Sequence, residues 1–248
     1  MLHMIEHGVR TDLPDLLIAH GLFGSARNWG VLAKRLSDTR RVITVDMRNH
    51  GSSTWADTQS YFDMAEDLAG VIDEPMDVLG HSMGGKASMV LALAQPDLVN
   101  RLIVADIAPV TYTHSQSHLI DAMQALDLGT ITRRSEADEA LQASIDDPTV
   151  RAFLLQSLDV KAKEWRLNLG VLRAEMDAII GFPEVDGSFD KLTVFLSGAA
   201  SDYVQRAHRD IIKPLFPKAK FAKIPDAGHW LHAEKPREFE AAVRATLG

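Results

Sequence analysis

Gly80-His81-Ser82-Met83-Gly84 is a G-x-S-x-G pentapeptide standing between an apolar run, Met76-Asp77-Val78-Leu79, and a helix-forming segment from Lys86 to Gln95. In a strand-turn-helix setting this pattern is a nucleophile elbow. The turn is tight enough to strain the serine backbone, so the flanking residues must be small, and Gly80 and Gly84 meet that need. A serine hydroxyl is a weak nucleophile at neutral pH. Acyl-transfer chemistry therefore also requires a histidine base, an acid to orient it and donors for the developing oxyanion. The base candidate is His229 in Ile224-Pro225-Asp226-Ala227-Gly228-His229-Trp230, on a loop after the apolar run around Phe221. The oxyanion candidates are the backbone N–H of Leu22, with Phe23 next, in His20-Gly21-Leu22-Phe23-Gly24, and the N–H of Met83, which opens a helix and lacks an intrahelical partner.

Two carboxylates qualify as the acid. Leu192-Thr193-Val194-Phe195-Leu196-Ser197-Gly198 reads as the penultimate strand, and the usual spacing after it falls on Ser201, one residue short of Asp202. An earlier strand, Arg101 to Ala105, ends in Asp106-Ile107-Ala108-Pro109. An aspartate at a strand's carboxyl end can also reach the base. Asp106 is preferred, and Asp202 stands as the alternative.

These groups need a scaffold that brings distant turns together. Short apolar runs, Leu16 to Ala19, Val42 to Val45, Asp77 to Leu79, Leu102 to Ala105, Thr193 to Leu196 and Phe221 to Ile224, alternate with helical stretches Trp29 to Leu36, Tyr61 to Ile72, Gly85 to Ala94 and Pro236 to Leu247. That alternation predicts an α/β fold, a mostly parallel central sheet with helices on both faces. In such sheets ligands bind beyond the carboxyl ends of the strands, where every residue named above falls. From about Val110 to Pro183 the alternation stops. Leu119, Met123, Leu126, Ile131, Leu141, Ile145, Phe153, Leu154, Leu158, Leu167, Leu172, Met176 and Ile179 recur at helical spacing, with no convincing strand. The expected organisation is a core of residues 1–109 and 186–248 with a helical cap at 110–185. The cap's inner face would form one wall of an acyl pocket, making Phe23, Met123, Trp165, Met176 and Trp230 the candidate substrate contacts.

His20-Gly21-Leu22-Phe23-Gly24-Ser25, Val45-Asp46-Met47-Arg48-Asn49-His50-Gly51, Gly80-His81-Ser82-Met83-Gly84-Gly85-Lys86, Asp106-Ile107-Ala108-Pro109-Val110 and the stretch from Ala227 to Pro236 together resemble the small YbfF-type esterases of the α/β-hydrolase superfamily. The likeness runs nearly end to end. It implies the α/β-hydrolase fold and hydrolysis of carboxylic esters with short to medium acyl chains, thioesters being a further option. It also implies the acid after the earlier strand, at Asp106. Asp202 is the departure, a second carboxylate that could compete for His229.

Several residues have structural readings. His81 and His20 are read as bracing residues, Asp46, Arg48 and Asn49 as an architectural knot, and Lys86 as a solvated or ion-paired helix residue. Trp165 and Trp230 also serve as packing aromatics. The pairs His229/His232 and His114/His118 have spacing a metal could use but no carboxylate beside them, so no metal or cofactor is expected.

The chain has 248 residues, a formal net charge of -8 and no cysteine. That charge argues against nucleic acid or an anionic membrane as partner, leaving a small acyl ester. Absence of cysteine excludes disulfides and a thiolate nucleophile. Met1 to Arg10 lacks a signal-peptide pattern, and the expected location is the cytoplasm. Oligomeric state is not readable. Dehalogenase and epoxide-hydrolase chemistry on such a fold uses an aspartate nucleophile, which Ser82 opposes. A slow-turnover ligand-binding or signalling protein with a retained triad is the reading from a different class.

Overall fold

Runs of buried aliphatic residues make the central strands of this protein, described by a computed structural model of residues 1–248. Along the chain come β1 (His3–His7), β2 (Leu16–Ala19), α1 (Gly30–Leu36), β3 (Val42–Asp46), α2 (Tyr61–Ala69), β4 (Met76–His81), α3 (Met83–Ala94) and β5 (Val99–Ala105). An insertion follows, with α4 (Ser117–Ala125), α5 (Arg134–Leu141), α6 (Pro148–Leu154), the two-residue strands β6 (Leu158–Asp159) and β7 (Glu164–Trp165), α7 (Leu169–Ala174) and α8 (Met176–Ile180). The chain then returns to the sheet through β8 (Thr193–Gly198), α9 (Arg209–Leu215), β9 (Ala219–Ile224), α10 (Leu231–Glu234) and α11 (Pro236–Leu247).

The sheet has seven strands in the order β1-β3-β2-β4-β5-β8-β9. All neighbours are parallel except β1, which pairs antiparallel with β3 at the edge. β2, β3 and β4 are buried along their whole length, as expected of strands covered by helices on both faces. One face packs α2, α3 and the insertion, and the other packs α1 and α11. The chain leaves β2 toward β3 and then crosses back to β4 on the other side. The carboxyl ends of β2 and β4 therefore flank the topological switch point, where a crevice opens.

Three elements differ from the sequence expectation. β1 gives no continuous apolar run, because three of its five residues (His3, Glu6 and His7) are polar, and its pairing along one edge does not require one. The insertion is not purely helical. β6 and β7 form a hairpin whose turn is built by Asp159, which accepts from the Lys161 and Ala162 amides, and by Lys163 at φ 59°. α9 was also missed, since it buries only Ile212 and contains Pro214, leaving little amphipathic signal.

The insertion lies on the turns that follow β2 and β3. The Gly51 amide donates to Arg166 O (2.8 Å), the Asn168 amide to Asn49 O (2.9 Å), and Ser157 Oγ to Phe23 O (3.2 Å).

Candidate active site

The turns beyond β2, β3, β4, β5 and β9 each hold a non-glycine residue at positive φ: Phe23 (64°), Asn49 (64°), Ser82 (52°), Asp106 (52°) and Asp226 (55°). Such conformations cost on the order of 1–3 kcal/mol each and persist only where surrounding bonds over-determine them. At Ser82 the cause is the elbow between β4 and α3. Gly84 sits so close to the Ala19 and His20 carbonyls that a Cβ would overlap both, and Gly80 is equally close to Gly84 O and Ser88 Oγ. These two glycines give room for α3 to press against the end of β2, while the strained backbone belongs to the serine.

Three side chains from three strand ends meet there. Ser82 Oγ is 3.1 Å from His229 Nε2, and His229 Nδ1 is 2.8 Å from Asp106 Oδ2. The carboxylate accepts, so Nδ1 carries the proton and Nε2 is left to accept from the serine. Asp106 is fully buried and further held by the Gly198 amide at Oδ1 (3.0 Å) and the Ser201 hydroxyl at Oδ2 (2.5 Å). Thus Ser201, where the usual spacing lands, holds the Asp106 carboxylate from the neighbouring strand. Asp202 is exposed and makes no hydrogen bond to His229. The Tyr203 ring stacks on the His229 imidazole at 4.0 Å and 20°. His81 Nε2 donates to His229 O (2.9 Å), so it anchors the loop that carries His229.

The turn after β2 is held by two neutral imidazoles. His20 Nδ1 donates to Gly21 O (2.7 Å) while its Nε2 accepts from the Met47 amide (2.9 Å). His50 Nδ1 donates to Arg48 O (2.8 Å) while its Nε2 accepts from the Phe23 amide (3.2 Å). Burial lowers the pKa of His20 to about 4 and that of His50 to about 3. Phe23's N–H is therefore already used, whereas that of Leu22 has no partner within the protein. Asp46 accepts from the Ala26 (2.7 Å) and Ser52 (2.9 Å) amides, Arg48 pairs with Asp67 (2.6 Å), and Asn49 bonds Gln59 and the Ala56 amide (2.8 Å each). They form the architectural knot expected of them.

A cavity of about 550 Å³ opens over Ser82 and His229 between the sheet and the insertion. Leu22, Phe23, Met83 and Trp230 line it, joined by Leu119, Val150, Phe153, Leu154 and Ile179 of the insertion. Met123, Trp165 and Met176 do not, which corrects their assignment as substrate contacts. All three are buried in the core that the insertion shares with the sheet's helices, and Trp165 Nε1 donates to Met123 O (3.0 Å). Helical periodicity identifies apolar positions but not which of two apolar faces each one serves.

Lys86 is neither solvated nor ion-paired. Its side chain is buried and lines the cavity, with Nζ donating to Ile180 O (2.8 Å) and Gly181 O and lying over the rings of Tyr112 (4.8 Å) and Tyr61 (5.6 Å). Burial without a counter-charge lowers its pKa to about 7. The signal was present in the sequence, since Lys86 is the single charge in an otherwise apolar α3. Ser201 and Tyr203 had no such signal, because their contacts arise only when β8 comes to lie between β5, which precedes Asp106, and β9, which precedes His229.

The Alpha/beta hydrolase family model matches residues 16–242. An sn-1-specific diacylglycerol lipase of Mus musculus is 42% identical over 250 residues, covering 95% of this chain and 81% of that protein. Esterase YbfF of Escherichia coli is 37% identical over 238 residues, covering 94% and 92% respectively. A solved structure described as a marine microorganism esterase superposes with a TM-score of 0.94 at 37% identity, covering 99% of both chains. No helix here is long and apolar enough to cross a membrane. With a family match over most of its length and esterases and lipases among its relatives, the chain belongs to the α/β-hydrolase family, as a carboxylic ester hydrolase of the YbfF type.

Proposed function

We propose that this protein is a serine carboxylesterase that hydrolyses short to medium acyl esters through an acyl-enzyme intermediate. The observation that carries the reading is the unbroken chain from Asp106 Oδ2 through His229 to Ser82 Oγ. Ser82 attacks the ester carbonyl while His229 Nε2 takes its proton, and Asp106 keeps the imidazole in the one tautomer that can do so. The amides of Leu22 and Met83 receive the oxyanion. Removal of one such donor typically costs about 10²–10³ in kcat. His229 then protonates the departing alcohol, and water releases the acyl group by the same proton path in reverse. An acyl thioester would meet the same groups.

Residues 110–185 act as a cap over the core of residues 1–109 and 186–248. Their apolar contribution to the cavity, from Leu119, Val150, Phe153, Leu154 and Ile179, excludes water and accommodates the acyl chain. The cavity volume of about 550 Å³ falls within the range of roughly 300–1,000 Å³ common for small-molecule sites. Steady-state hydrolysis of p-nitrophenyl esters from acetate to palmitate tests the reading. Hundreds of turnovers per site with an optimum at short to medium chains are expected. A single stoichiometric burst, or no turnover on any ester or acyl thioester, would overturn it in favour of a ligand-binding role.

A further inference from the structure

Burying an ammonium among apolar residues carries a large desolvation cost, and Lys86 has no carboxylate within ion-pair reach to offset it. Its partners are backbone oxygens at one place, the end of α8. Three consecutive carbonyls there are tied to the core. Tyr61 Oη donates to Ile179 O (2.6 Å), Lys86 Nζ and the Tyr112 amide (3.0 Å) donate to Ile180 O, and Lys86 Nζ also donates to Gly181 O. In its protonated form Lys86 suits the carbonyl end of a helix, since hydrogen bonds from a charged donor are roughly twice as strong as neutral ones, and the neutral amine still has two N–H donors for the same carbonyls. Lys86 belongs to the same helix that begins immediately after Ser82, so this clasp joins the insertion to the helix of the nucleophile elbow.

The clasp forms part of the cavity's buried wall. Lys86, Tyr61 and Ile179 line it from positions under 10% exposed, whereas His114, His118, Asp146 and Asp147 line it from exposed positions at the mouth. We propose that Lys86 is a specificity-determining residue which fastens the end of α8 to α3 and thereby closes the acyl cavity along that buried wall, limiting the longest chain the enzyme accepts. This rests on the esterase reading given above, with the acyl chain directed inward from Ser82.

The test is Lys86→Met, which keeps the length and apolar stem of the side chain and removes its three donors. Two readouts are taken. Amide hydrogen exchange reports the clasp without needing activity: residues 176–185 should exchange at least tenfold faster in the variant, with the central strands unchanged. The ratio of kcat/KM for decanoate to that for acetate reports specificity and cancels any effect on chemistry common to both esters; it should rise at least tenfold. Tyr61→Phe, which removes only the bond to Ile179 O, should move both readouts in the same direction by less, and it serves where Lys86→Met does not fold. Unchanged exchange over 176–185 overturns the clasp even if the protein hydrolyses no ester. Faster exchange with an unchanged ratio overturns the specificity role. An unchanged ratio combined with selective loss of turnover on a monoester bearing a terminal carboxylate overturns the proposal in favour of an anion-binding lysine.

Discussion

Replacing Asp106 with asparagine is the sharpest perturbation of the hydrogen-bond chain, because the substituted atom faces donors on both sides. Asp106 Oδ2 accepts from His229 Nδ1 (2.8 Å) and Ser201 Oγ (2.5 Å), and Oδ1 accepts from the Gly198 amide (3.0 Å). An amide has one acceptor and one donor end. If its oxygen stays on the Gly198 side, its NH₂ group faces His229, whose Nδ1 must then accept. The ring is driven to the Nε2–H tautomer, which cannot take the Ser82 proton. If the amide flips, its NH₂ faces the Gly198 N–H, and an unsatisfied donor pair buried at a fully enclosed position costs on the order of 1–3 kcal/mol. The first arrangement therefore prevails. The wrong-tautomer penalty known for such triads is about 10⁴ in kcat, equivalent to roughly 5.5 kcal/mol. Asp106→Asn is expected to lose about 10³–10⁴ in kcat on p-nitrophenyl butyrate, with circular dichroism unchanged. Asp202→Asn, at an exposed residue without a bond to the base, should stay within about twofold of the parent. A crippled Asp202→Asn beside an Asp106→Asn that keeps a tenth or more of the parent rate would refute the reasoning.

Ser201→Ala removes one donor from the Asp106 carboxylate but leaves the His229 bond, so kcat should drop roughly tenfold, in keeping with a single hydrogen bond to a charged group; a loss as large as that of Asp106→Asn would contradict a merely supporting role. Phe153→Ala, at a cavity-lining position that packs on Trp230 with ring centroids 5.7 Å apart, should shift the ester-length optimum upward. Met123→Ala should leave that optimum alone and lower stability by about 2–5 kcal/mol, as measured by denaturant unfolding. His20, His50 and His232 are held neutral by burial, with pKa values lowered to about 4, about 3 and about 3. The unfolded chain protonates these rings near pH ~6.5, so the unfolded state binds more protons below that pH and stability falls on acidification. Their contribution is intact above about pH 6.5 and lost progressively toward about pH 3–4, each ring costing on the order of 1–2 kcal/mol between pH 7 and 5. Unfolding midpoints in urea at pH 7, 6 and 5 should fall in that order, and a constant midpoint would show that the rings titrate normally.

The sheet was readable because its strands are continuous aliphatic runs bounded by glycine-rich turns, as at Leu16–Ala19 and Met76–His81. β1 and α9 escaped for the opposite reason: His3–His7 is largely solvent-facing, and Arg209–Leu215 buries a single side chain. Motif spacing placed Ser82, Asp106 and His229 just past the carboxyl ends of β4, β5 and β9, because local turn chemistry and chain order are both written in the sequence. The cavity wall was harder to read. Met123 and Met176 have the same periodicity as Leu119 and Ile179, yet only the latter pair lines the cavity, since the rotation of each helix is fixed by its neighbours and not by its own pattern. Lys86 shows the same limit for charge. A lysine on a helix is usually solvated, and only the docking of α8 gives this one its carbonyl partners.

Intact-mass spectrometry of the protein after reaction with a fluorophosphonate ester, alongside p-nitrophenyl butyrate hydrolysis by the parent and Ser82→Ala, bears most directly on the assignment of Ser82 as nucleophile. The parent should gain one adduct, mapped to Ser82, in proportion to lost activity, and Ser82→Ala should gain none and show no turnover above background. An adduct on another residue, or hydrolysis by Ser82→Ala at a rate comparable to the parent, would contradict the covalent serine mechanism.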